Sequence, residues 1–98
     1  MADRIKMTPV ELRDGAQNCE LCRDQILSEI QTLNQRITQM YGNWEGLSQQ
    51  AFIERFNEFA NYLRQQTPAV LDGVAMKLRV AADTIEDADR QISQAFRG

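Results

Sequence analysis

YGNWEG, residues 41–46, is where the chain stops looking helical. Two glycines and an asparagine, residues that favour turns, surround the only tryptophan near the middle of 98 residues. On either side, apolar residues recur in steps of three and four, the period of a helix rather than a strand. Upstream the series is Leu12, Ala16, Cys19, Ile26, Ile30, Leu33, Ile37 and Met40, interrupted only at Arg23. Continuous over that span, it makes a heptad seam of ~45 Å at ~1.5 Å per residue. Downstream it is Phe52, Phe56, Phe59 and Leu63, then Val70, Val74, Leu78, Ala81, Ile85, Ala88, Ile92 and Phe96. Two helices joined by so few residues run antiparallel. The expected fold is all-α: a single domain over 1–98, with helices at about 8–41 and 47–96 and a turn at 42–46.

Local chemistry sets the ends. Thr8-Pro9-Val10-Glu11 reads as an N-cap, a proline at the first helical position and a glutamate closing a capping box, with Met7 and Leu12 placed to form a hydrophobic staple. Gly42 suits a left-handed helix end. Either Asn43 or Ser48 caps the second helix. Gly46 is expected to let the two backbones approach closely. Pro68 kinks or divides the second helix, since its ring clashes with the carbonyl four residues back at a cost of ~3 kcal/mol; the apolar series running across it favours a kink.

The stripes are wider than one seam requires. Cys22 and Leu27 flank the first, while Ala51, Leu71, Ala75, Ala82 and Ala95 flank the second. A lone hairpin gives a broad apolar face too little cover, so a second helical pair is implied. The expected solution is an antiparallel homodimer, a four-helix bundle whose core holds Ile26, Ile30, Leu33, Ile37, Phe56, Phe59 and Leu63.

Composition narrows the function. Net charge is −3, and the 11 basic residues are scattered, so no basic stripe invites nucleic acid. There is no histidine, nucleotide loop or visible nucleophile–base pair, so no enzyme and no cofactor is expected. Met1-Ala2-Asp3-Arg4 leads into no apolar run, so no cleaved secretory signal is expected. Cys19-Glu20-Leu21-Cys22 lies about three turns inside the first helix, beyond the helix-terminal field that activates redox thiols. One chain supplies two thiols toward a four-ligand zinc site, so the pair is expected to pack as small hydrophobes. A thiol or metal module is the less favoured alternative.

Together these parts resemble the WXG family, the ESAT-like proteins exported by type VII secretion systems. Trp44-Glu45-Gly46 matches the Trp-x-Gly signature, and Ile5 to Leu12 resembles the opening of Firmicute members. Ile85, Asp89, Ile92 and Phe96 match a C-terminal export pattern of hydrophobic, acidic, hydrophobic and hydrophobic positions. Ile85 stands where mycobacterial relatives often carry tyrosine, which favours a Firmicute-like homodimer. The resemblance implies secretion without a cleaved signal peptide, the protein being cytoplasmic before export. It implies recognition of Trp44, Gly46 and the tail by a membrane-anchored ATPase of the FtsK/SpoIIIE type. A second small WXG protein or a larger secreted toxin is the alternative partner. Trp44 reads either as a plug at the bundle end or as half of a recognition surface completed by another chain's tail. The second reading suits a turn, where an indole is hard to bury fully. In the tail, Ile85 and Ala88 are expected to pack, leaving Asp89, Ile92 and Phe96 accessible.

Overall fold

The computed structural model describes residues 7–40, 42 and 46–97, the side chains of 47 and 48 aside. Two helices account for nearly all of them: α1 (Pro9–Met40) and α2 (Leu47–Arg97). They pack along each other as an antiparallel hairpin, with no strand among the described residues.

The start of α1 is fixed by its sequence. The Glu11 amide donates to Thr8 Oγ1 at 3.2 Å, and the Thr8 amide and hydroxyl donate back to Glu11 Oε1 at 3.4 and 3.0 Å. Two donors that a helix start leaves unpaired are thereby satisfied. Leu12 is buried beneath this cap, while Met7 stays half exposed at 50%. Among the described residues at the turn end, Gly46 is left-handed, with φ of 113°, and Gly42 is not. Open space surrounds Gly46 where a Cβ would sit, so glycine is used there for its backbone angle and not for close approach. Its carbonyl accepts from the Gln49 amide at 3.2 Å, opening α2. Trp44, Asn43 and Glu45 lie outside the described residues, as does the side chain of Ser48. Helix α2 runs unbroken through Pro68 for 51 residues, or about 76 Å of rise.

The two helices meet through small residues. Ala16 on α1 and Ala60, Ala75 and Ala82 on α2 are buried, joined by Leu12 and Ile30. A Cβ at Gly15 would stand 3.4 Å from Leu78 Cδ1, another sign of close approach. This core is thin. The molecule is 79 × 24 × 20 Å with a radius of gyration of 22.2 Å, against about 13 Å for a compact chain of this length. It exposes 7892 Å², where a compact protein of 11.3 kDa exposes about 5,700 Å².

Candidate functional site

A rule of one residue separates the two sides of the hairpin. On α1, Arg13 and Glu20 each follow a packing position, Leu12 and Cys19. On α2, Asp72, Arg79, Asp83 and Glu86 follow Leu71, Leu78, Ala82 and Ile85. One step along a helix turns the side chain ~100°, so all six fall on the same edge of the seam. There they pair across it. Arg13 donates from Nη1 and Nη2 to both Glu86 oxygens at 2.8 and 2.6 Å, and from Nη2 to Asp83 Oδ1 at 2.7 Å. Arg79 holds the Glu20 carboxylate with two bonds of 2.8 and 2.9 Å. Arg23, the residue that interrupts the apolar series, spans from Asp24 on its own helix to Asp72 on α2. Hydrogen bonds from Arg13 and Arg79 hold the Glu86 and Glu20 carboxyls below the usual carboxylate range. The guanidinium of Arg13 is held above its ordinary value by Glu86 first and Asp83 second. The partners descend α2 as α1 ascends, which fixes the antiparallel register.

The opposite edge is apolar and bare. Ile26, Leu33, Phe59, Val70 and Val74 come one residue before Leu27, Asn34, Ala60, Leu71 and Ala75, and all five are exposed. Leu33 is 48% exposed, Phe59 57% and Val70 59%. Ile26 joins two shallow depressions here. One, of about 570 Å³, runs along α1 between Cys22 and Arg36; the other, of about 290 Å³, continues onto α2 at Val70 and Leu71. Phe52 and Phe56 extend the strip with rings stacked 6.3 Å apart at 14°.

Residues expected in a dimer core divide accordingly. Ile30 is buried within the hairpin itself, Ile37, Phe56 and Leu63 are half-buried, and Ile26, Leu33 and Phe59 are exposed on the bare edge. Cys19 is half-buried against α2, whereas Cys22 is exposed on the bare edge and lines the larger depression. The expectation that both thiols are core therefore holds within the protomer only in part for Cys19. Their separation follows from spacing: three residues turn the helix ~300°, carrying Cys22 off the packing line. No cluster of metal-ligating side chains occurs among the described residues.

The tail projects past α1. Ile85 is half-buried, Ala88 is exposed rather than packed, and Asp89 is exposed. Ile92 is 57% exposed and Phe96 88%, the most exposed large apolar side chain described. Of the turn signature, Gly46 is exposed and Trp44 lies outside the described residues.

Residues 4–90 match the family model of proteins of 100 residues with WXG. The chain belongs to the WXG family. Protein YukE of Bacillus subtilis is 30% identical over 98 residues, with the whole of both chains aligned. The type VII secretion system extracellular protein A of Staphylococcus aureus is 28% identical, covering 94% of each chain. Among solved structures, the secreted protein EsxB of Bacillus anthracis superposes with a TM-score of 0.74 at 30% identity, over 90% of this chain and 97% of that one. Two helices packed as a hairpin, with no strand among the described residues, are thus the WXG fold in this chain. The ion-paired edge escaped sequence reading, although the one-residue offset of its charges from the packing positions was there to find it.

Proposed function

We propose that this protein is a non-enzymatic substrate of a type VII secretion system that works as an antiparallel homodimer. The bare apolar edge carries the proposal: side chains such as Leu33, Phe59 and Val70 stand in water on one side, while the other side is closed by ion pairs. A contiguous apolar face of this kind marks an interaction site. A second hairpin laid against it forms a four-helix bundle and leaves the charged edges outside. In that arrangement Trp44 and Gly46 at one copy's turn lie near the other's Asp89, Ile92 and Phe96. Turn and tail together form the surface that a membrane-anchored ATPase reads, an apolar strip with one carboxylate for orientation. The likeness to extracellular type VII proteins supports export as the destination.

Export is tested in a host with its own type VII system. The protein is expected in the culture supernatant of intact cells, and Trp44→Ala or Phe96→Ala is expected to keep it inside while the purified variants stay helical. Equal amounts outside cells lacking the secretion ATPase would overturn the proposal.

A further inference from the structure

The uncovered row of α2 reads the same in both directions about one residue. Descending from Asp72, the apolar positions are Val70, Leu63, Phe59, Phe56 and Phe52; ascending, they are Val74, Ala81, Ile85, Ala88 and Ile92. Each member of the first set has its mirror image in the second, at equal distance from residue 72. None of these residues is fully buried within the hairpin. Phe52, Phe59, Val70, Val74, Ala88 and Ile92 are exposed, and Phe56, Leu63, Ala81 and Ile85 are half-buried where the row borders the seam, whose buried residues on α2 are Ala60, Ala75 and Ala82.

Asp72 is also the midpoint of α2, and it pairs with Arg23, next to the middle of α1. The hairpin is therefore centred on the same level as its palindrome, with α2 overhanging α1 at both ends. A two-fold axis across that level superposes the whole length of two antiparallel copies. Size adds a second constraint. The descending half is bulky, with three phenylalanines and a leucine; the ascending half is slighter, with alanine at 81 and 88. A bulky residue opposite a small one lets two helices interdigitate.

We infer that the dimer's two-fold axis crosses the apolar row at the level of residue 72, on the face of α2 opposite the Asp72 side chain, so that Phe56 of each copy packs over Ala88 of the other, Leu63 over Ala81, Phe59 beside Ile85 and Phe52 beside Ile92. This rests on the antiparallel dimer proposed above and specifies its register. An isologous contact of this sort uses one surface twice. The only charged residue in line with the row, Lys77, falls opposite Thr67 and meets no like charge. The register also divides the tail. Ile92 becomes a dimer contact covered by Phe52 of the second copy, while Phe96 reaches the level where the second copy's α2 begins and remains for recognition.

Cross-linking reads the register directly. With Cys19→Ala and Cys22→Ala removing the native thiols, Phe52→Cys combined with Ile92→Cys is expected to give a covalent dimer under mild oxidation, doubling the mass on a non-reducing gel. Phe52→Cys combined with Ile85→Cys, a pairing displaced by one heptad, is expected to stay single. In the native-cysteine chain, Ala88→Phe is expected to weaken dimerisation roughly ten-fold or more by overpacking. Adding Phe56→Ala to it exchanges bulk across the axis and is expected to restore association. A monomeric mass for the unsubstituted chain by light scattering at micromolar concentration would remove the dimer itself. A dimeric mass with cross-linking at 52 and 85, or with no recovery in the exchanged variant, would overturn the register alone.

Discussion

Ala82→Leu tests whether alanines set the distance between the helices. Ala82 is fully buried, and the buried row beside it, Ala60 and Ala75, is equally small. Leucine adds three carbons where the nearest helix is already in contact. Overpacking of this kind costs about 1–3 kcal/mol. For a chain of this size each kcal/mol moves the melting midpoint by about 4–8 °C, so a loss of roughly 4–24 °C is expected. Ala69→Leu is the control: the same change in the same helix at an exposed position, expected to stay within about 0.5 kcal/mol. Both are followed by circular dichroism at 222 nm on heating, at one fixed protein concentration so that any association contributes equally. Equal midpoints for the two variants would refute the close alanine contact, and with it the separation of α2 into a packed row and an uncovered one.

Two further outcomes follow from the local chemistry. Thr8→Ala removes the side chain that accepts the Glu11 amide and is expected to cost about 1 kcal/mol, with exchange of the first-turn amides of α1 accelerating most; unchanged exchange there would refute the capping role. Acid should loosen the hairpin: Glu20 and Glu86 titrate below the ordinary carboxylate value when folded, so protons bind the unfolded chain first. Their contribution is complete above about pH 4.5 and is lost as pH falls through the depressed folded values. Melting midpoints at pH 6 and pH 3.5 should therefore differ more in the native chain than in Glu20→Gln combined with Glu86→Gln, and an equal difference would refute the ion-pair account.

Much of the fold was legible because it rests on local patterns. The three-and-four spacing of α1, the Thr8–Glu11 cap and the glycine-rich break each act over a single turn of chain. The seam was harder to read. Hydrophobic periodicity is weighted toward large side chains, so Phe52, Phe59 and Val70 stood out as the row that would meet the neighbouring helix. Close packing of two helices instead selects small residues, and Ala60, Ala75 and Ala82 form the contact while the large ones turn to the uncovered edge. Arg23 looked like a defect because its partner, Asp72, is 49 residues away and invisible to local pattern. Gly42 and Gly46 were interchangeable by composition; only the backbone angle of 113° tells which one needs to be glycine.

The unequal edges of the hairpin have a bearing on the chain when it is alone. A stiff rod 79 Å long, with ions fixed along one margin and hydrocarbon along the other, has the make-up of a detergent. Newly made or highly diluted copies will gather at oil, air or lipid boundaries, lying flat with Phe59 and Val70 downward. In the proposed dimer the apolar margin is covered, so pairing would remove that tendency.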